Sequence, residues 1–270
     1  MSTSRSRPAP KKGRSSTPLI IGAIGLVVIV AAVVAVVVNS GGDSSDDDVT
    51  AVVAAATSVP AAVADEVGMG VANAVPQAIN GDALTSDGKP QVLYVGAEYC
   101  PFCAAERWPL VVALSRFGTF SGLGLTTSAS QDVFPSTATF TFHGATYTSD
   151  YLTFSPFELY TNQPTGQGGY EPLDTLPADL QAAWQKIDPN LSFPFIDLGG
   201  KYVVAGATYD VSIVNGRTAT QIADSLTDAT KGVTRAIVGT ANTLTAAICQ
   251  LTGQQPADVC TAKAVTAIEL

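Results

Sequence analysis

Apolar positions fall into three kinds of run along the 270-residue chain. The first kind is continuous: Leu19 to Val38 holds 20 residues without a charge. As a helix rising about 1.5 Å per residue, that stretch spans roughly 30 Å, the thickness of a bilayer core. It has no polar face, so it predicts a transmembrane anchor rather than a core helix.

The second kind repeats with helical spacing. Val49 to about Ala78 is Ala/Val-rich and broken at Pro60, with Ser58 and Pro60 as a helix start. It reads as a stalk helix or as a helix packed on the domain. Further helices are predicted from Cys100 to about Phe117, from Leu176 to Ile187, across Thr218–Leu251 with a break at Gly232, and from about Ala257 to Ile268.

The third kind is short and extended. Gln91 to Ala97 is a mostly apolar buried strand, and Gly122 to Thr127 is a second one. Thr137 to Tyr160 alternates β-branched and aromatic residues as a hairpin does. Residues 163–172 form a loop. Phe193–Leu198 and Tyr202–Ala205 form a hairpin across a two-residue Gly199-Gly200 turn. Strands alternating with helices predict an α/β fold, a central sheet flanked by helices.

Charge adds orientation. The chain is 46% hydrophobic and 14% charged, with a formal net charge of −9. The first 18 residues carry Arg5, Arg7, Lys11, Lys12 and Arg14 and no acid. Asp43, Asp46, Asp47 and Asp48 follow the apolar run. Basic flanks stay in the cytoplasm, so the remainder lies outside. A cleaved signal peptide is the rival reading. Its apolar core is usually about 7–15 residues and precedes a small-residue cleavage site, and neither feature fits here. The expected organisation is a basic tail (1–18), an anchor (19–38), a linker (39–58) and an extracytoplasmic domain (59–270). Beyond the tail, nine basic residues face 23 acidic ones, a net charge near −14. That balance argues against nucleic acid as a partner.

Composition narrows the chemistry. A single histidine, His143, excludes multi-histidine metal sites and leaves any serine triad resting on that residue. No cofactor is expected. Of four cysteines, two lie in Cys100-Pro101-Phe102-Cys103, at a strand-to-helix junction. A helix start carries partial positive charge and unpaired N–H groups, which favour a thiolate at Cys100. Cys103 sits one turn later on the same face, and Pro101 presets the backbone for the first turn. This is the pattern of a dithiol/disulfide exchange site. Cys100 exchanges with substrate and Cys103 resolves the mixed disulfide. Zinc would need Cys249 and Cys260 as further ligands, whose separation is wide for that role. Copper(I) on the two thiolates, aided by His143, is a third reading. Cys249 and Cys260 bracket Gly253 and Pro256 and are expected to form a structural disulfide, the alternative being a second redox pair that relays electrons to Cys100–Cys103.

The stretch Ala97-Glu98-Tyr99-Cys100-Pro101-Phe102-Cys103 resembles the active-site segment of the thioredoxin superfamily. Pro109 is similar to the proline that kinks the helix there, and Phe193-Pro194-Phe195 resembles the cis-proline element. The resemblance covers about residues 85–250, with an insertion near 130–170 that includes the hairpin. It implies a thioredoxin-like fold, Cys100, Cys103 and Pro194 as catalytic residues, and Phe193, Pro101 and Phe102 as substrate contacts. Cys103-Ala104-Ala105-Glu106-Arg107-Trp108 and Leu114-Ser115-Arg116-Phe117-Gly118 are similar to a narrower, uncharacterised family, one of the domains of unknown function. One departure stands out. Tyr94 occupies the position of the family's buried aspartate, and a phenol is a poor base near neutral pH. Glu98 or Glu106 would then supply acid/base chemistry. Arg107 and Arg116 read as surface or ion-pair residues, and Trp108 as core. The expected activity is thiol–disulfide exchange on exported proteins, with a membrane redox partner. The rival is a non-catalytic binding or scaffold domain.

Overall fold

A computed structural model describes residues 46–270. The expected tail and anchor lie outside the described residues. Among the described residues no single helix is long and apolar enough to cross a membrane.

Helix α1 (Asp46–Thr57) occupies much of the stretch expected as linker. Val52 and Ala56 are buried in the main core, so α1 packs on the domain. Pro60, not Ser58, precedes the first turn of α2 (Ala61–Val67). Two short strands follow, β1 (Gln77–Ala78) and β2 (Thr85–Ser86), and then β3 (Lys89–Gly96). Helix α3 (Pro101–Leu114) leaves the end of β3. Strands β4 (Thr119–Ser121), β5 (Gly124–Thr127), β6 (Ala138–Thr141) and β7 (Thr146–Thr148) pair as β4–β7 and β5–β6. They are followed by β8 (Thr153–Glu158), the hairpin β9 (Tyr160–Pro164) and β10 (Tyr170–Pro172), and α4 (Ala178–Ile187). The chain closes with β11 (Phe195–Leu198), β12 (Tyr202–Ala205), α5 (Ala219–Ser225), α6 (Gly232–Leu251), α7 (Ala257–Cys260) and α8 (Lys263–Thr266).

The central sheet is mixed. β3 pairs in parallel with β8 on one side and antiparallel with β11 on the other, and β11 continues to β12 and β1. Both faces of β3 are covered. Val92 and Tyr94 face the larger core with α3 and α6, while Leu93 and Val95 face a smaller one built on Trp184 of α4. This two-sided burial explains why β3 reads as a continuous apolar run rather than an alternating one.

Two local differences from the sequence reading have simple causes. The β11–β12 loop has three residues, Gly199–Lys201, since Leu198 pairs with Tyr202. The Asp197 carboxylate accepts the Gly200 N–H at 2.6 Å and stabilises the wider turn. Both glycines adopt positive φ, and a Cβ at Gly200 would strike the Asp82 carbonyl. The last helix is two short ones because the backbone turns extended at Ala262, just after Cys260, which is bonded to Cys249. That disulfide spans 11 positions, a closure worth roughly 3 kcal/mol in the loop-entropy account.

Candidate functional site

The site is built where β3 ends. In the parallel register Gly96 faces Glu158 of β8. Extending the antiparallel register by one residue places Pro194 on its other side. The Phe193–Pro194 peptide is cis, and the Pro194 carbonyl accepts the Gly206 N–H at 2.8 Å. A Cβ at Gly96 would lie 2.2 Å from the Tyr94 hydroxyl, so only glycine fits there.

Four residues on, Cys100 caps α3. Its backbone is extended, and its sulfur accepts the Cys103 N–H at 3.2 Å. Both cysteines are free thiols. Cys100 is 6% exposed and Cys103 is fully buried. Their acidities diverge. Hydrogen bonds from Cys103 hold the Cys100 thiol below its ordinary value, with a further contribution from the Arg107 charge. Burial pushes the Cys103 thiol well up, and the neighbouring Cys100 sulfur adds to the effect. Cys100 is the readier of the two sulfurs to ionise, and Cys103 is the one that holds its proton.

Helix α3 carries this pair although Pro109 lies inside it. Pro109 has no N–H for the Ala105 carbonyl four residues back. The Tyr209 hydroxyl donates to that carbonyl instead, at 2.8 Å. The Thr139 hydroxyl donates to the Ala104 carbonyl at 2.7 Å, and the indole of Trp108, a core residue, donates to the Ala138 carbonyl at 3.0 Å. The helix is thereby pinned to β6 and to the loop after β12.

Two charged side chains of α3, Glu106 and Arg107, are fully buried, and Arg107 is an ion-pair residue rather than a surface one. Arg107 donates from Nε and Nη2 to both Glu158 oxygens, each at 2.6 Å, and from Nη2 to the Ala97 carbonyl at 2.8 Å. Its guanidinium carbon lies 6.0 Å from the Tyr94 ring centre. Glu106 points elsewhere. It accepts the Thr208 N–H and hydroxyl at 3.0 and 2.9 Å, and burial pushes its carboxyl up to about 7. Arg116 is half-buried and donates to the Thr245 hydroxyl at 2.8 Å.

The acid/base candidates therefore separate from the cysteines. Glu98 is half-buried and accepts the Thr141 hydroxyl at 2.6 Å. Glu106 is locked to Thr208. The carboxylate whose charge acts on Cys103 is Glu158, which the sequence reading missed. Tyr94 is buried, and desolvation drives its hydroxyl well above the ordinary phenol value, so it cannot serve as a base. His143 pairs with Asp174 at 2.7 Å, and Asp174 in turn accepts the Glu158 backbone N–H at 2.9 Å.

The rim is aromatic. Phe102 is 40% exposed and meets the edge of Phe134. Tyr99 stacks flat on Tyr170 at 4.1 Å and lies near the exposed Tyr160. Burial, then the charge of Cys100, pushes the Tyr99 hydroxyl up to about 12. Pro101 is buried beneath this rim. Phe193 is turned to the other face of the sheet, where it stacks on Trp184 at 5.6 Å, so it supports α4 rather than offering a contact surface. Among the described residues no group of three or more His, Cys, Asp or Glu side chains could hold a metal ion.

Residues 76–191 match the family model described as "Domain of unknown function (DUF929)". The matched segment includes the cysteine pair, Arg107 and Glu158, and ends before Pro194 and α6. No curated protein gives a significant match. No solved structure does so either.

Proposed function

We propose that this protein is a membrane-tethered thiol–disulfide oxidoreductase of the thioredoxin-like type, acting outside the cytoplasm on exported proteins. The observation that carries the reading is the asymmetry of the two sulfurs. Cys100 sits at a helix start as the readier thiolate, and Cys103 is buried beside it as a thiol. The strand order β8–β3–β11–β12 and the placement of Pro194 beside Gly96 support the thioredoxin-like comparison.

The chemistry balances with sulfur alone. The Cys100 thiolate attacks one sulfur of a substrate disulfide and displaces the other as a thiolate. Cys103 gives its proton to that thiolate and attacks the Cys100 sulfur. The second substrate sulfur leaves, and two electrons pass to the substrate as Cys100–Cys103 closes. Run in reverse, the same steps oxidise a substrate dithiol. A membrane thiol or disulfide partner would reset the pair, and tethering raises its effective concentration.

The full chain in detergent should exchange with a small aromatic disulfide, releasing coloured thiolate. Cys100→Ser should abolish release. Unchanged release in Cys100→Ser would refute the reading. One observation favours the second reading, a non-catalytic scaffold: Cys100 is only 6% exposed. That reading requires a Cys100→Ser/Cys103→Ser chain to rescue a deletion strain fully. Copper(I) binding on two thiolates is disfavoured by the buried, protonated Cys103.

A further inference from the structure

Beside the cysteines lies a charged pair with no stabilising task that an apolar pair could not perform. Arg107 and Glu158 are both fully buried, and replacing such a pair with hydrophobic residues commonly leaves stability equal or higher. Their placement points to a different use. Arg107 lies one helical turn after Cys103 and is tied to the Ala97 carbonyl, three residues before Cys100. Arg107 thus ties the helical end of the cysteine segment, through its own position on α3, to the strand end at Ala97. Glu158 engages only its Nε and Nη2 atoms. Nη1 is buried with no hydrogen-bond partner among the described residues, leaving that side of the cation unneutralised.

Glu158 is not a free base for Cys103, because both its oxygens already accept from Arg107. Its effect on the sulfurs is therefore through charge. The groups around them are few. Tyr94 of β3 lies under the guanidinium, Glu158 comes from β8, and Tyr99 adjoins Cys100. Glu98 and Asp174 act on Glu158 through charge, and Asp174, which accepts the Glu158 N–H, also pairs with His143. In this set the cation is Arg107.

We infer that the buried Arg107–Glu158 pair is the charge-setting device of the site, with Arg107 drawing both sulfurs toward thiolate and Glu158 limiting how far. The pair is a positioning element and contacts no substrate. The directions of the thiol shifts agree: Arg107 lowers both sulfurs, and Glu158 raises Cys103. The inference rests on the exchange reading for its biological meaning, but its test does not.

The test is the thiolate titration of the reduced full chain in detergent. It is read by ultraviolet absorbance against Cys100→Ser and by the pH dependence of alkylation. Arg107→Met/Glu158→Met removes both charges and leaves none unpaired. It should raise the Cys100 midpoint by about one pH unit, the scale of a nearby buried charge. Glu158→Gln frees the cation and should move the midpoints down. Shifts of opposite sign are what a charge device gives, whereas loosened packing would move both variants the same way. An unchanged Cys100 midpoint in the double-Met chain would overturn the inference, even if Glu158→Gln does not fold. If the wild-type chain shows no disulfide exchange yet these midpoints move as stated, the exchange reading fails and the charge device stands.

Discussion

Arg107→Met should lower stability by about 3–5 kcal/mol, the usual cost of leaving one member of a buried ion pair without its partner. The cause is the Glu158 carboxylate, which keeps no cation and is fully buried. It would also sever the tie to the Ala97 carbonyl, just before the cysteine segment. Arg107→Met/Glu158→Met should recover most of that loss, because two apolar side chains of similar volume fill the space with no charge to desolvate. Urea denaturation of the wild type, Arg107→Met, Glu158→Met and the double variant forms a double-mutant cycle. If the double variant is as unstable as the sum of the singles, the pair is not an energetic unit.

Glu106→Gln should change how stability depends on pH. The Glu106 carboxyl moves from an ordinary 4.5 to about 7 in the folded chain, mainly through desolvation that the Thr208 hydrogen bonds only partly offset. Between those values the unfolded chain has lost the proton while the folded chain keeps it. Stability from this group is therefore complete below pH 4.5 and declines as pH rises toward 7, after which it is level. The whole decline is about 3 kcal/mol at roughly 1.4 kcal/mol per pH unit. Gln keeps an acceptor for the Thr208 N–H and cannot ionise. The variant should match the wild type near pH 4.5 and exceed it above pH 7. Taking the difference between the two chains removes the contributions of Glu158 and Asp197, which burial also raises. Parallel curves for the two chains would show that Glu106 is not the buried titrating acid.

These two residues mark the limit of what one sequence discloses. The cysteine motif was legible because its chemistry is local, a strand, a helix start and two sulfurs one turn apart. The Cys249–Cys260 pair was legible from its spacing and from the oxidising compartment expected for the domain. Arg107 was read as a surface or ion-pair residue and does form an ion pair, but the full burial of Arg107 and Glu106 was not legible, because α3 is buried along its whole length except at Phe102. A helical wheel assigns charged residues to water, and only the tertiary arrangement shows that no water-facing side exists. Glu158 was missed for a related reason. It is the acid that closes an otherwise uncharged β8, and its partner is 51 positions away. An acid ending a buried strand is the signal that could have flagged it, but nothing local names the partner. Likewise α1 lies in a stretch that opens with an acidic cluster, and its docking rests on just two buried residues, Val52 and Ala56.

The account stands or falls on whether Cys100 forms a covalent bond to a substrate sulfur that Cys103 then releases. Full-length Cys103→Ala, expressed in cells and analysed on non-reducing gels, measures this directly. The buried resolving thiol is gone while Cys100 keeps its helix-start N–H groups. Mixed disulfides with exported proteins should accumulate, vanish on reduction, and be absent from the Cys100→Ser/Cys103→Ala chain. Equal adduct levels in the single and double variants, or none in either, would contradict the account.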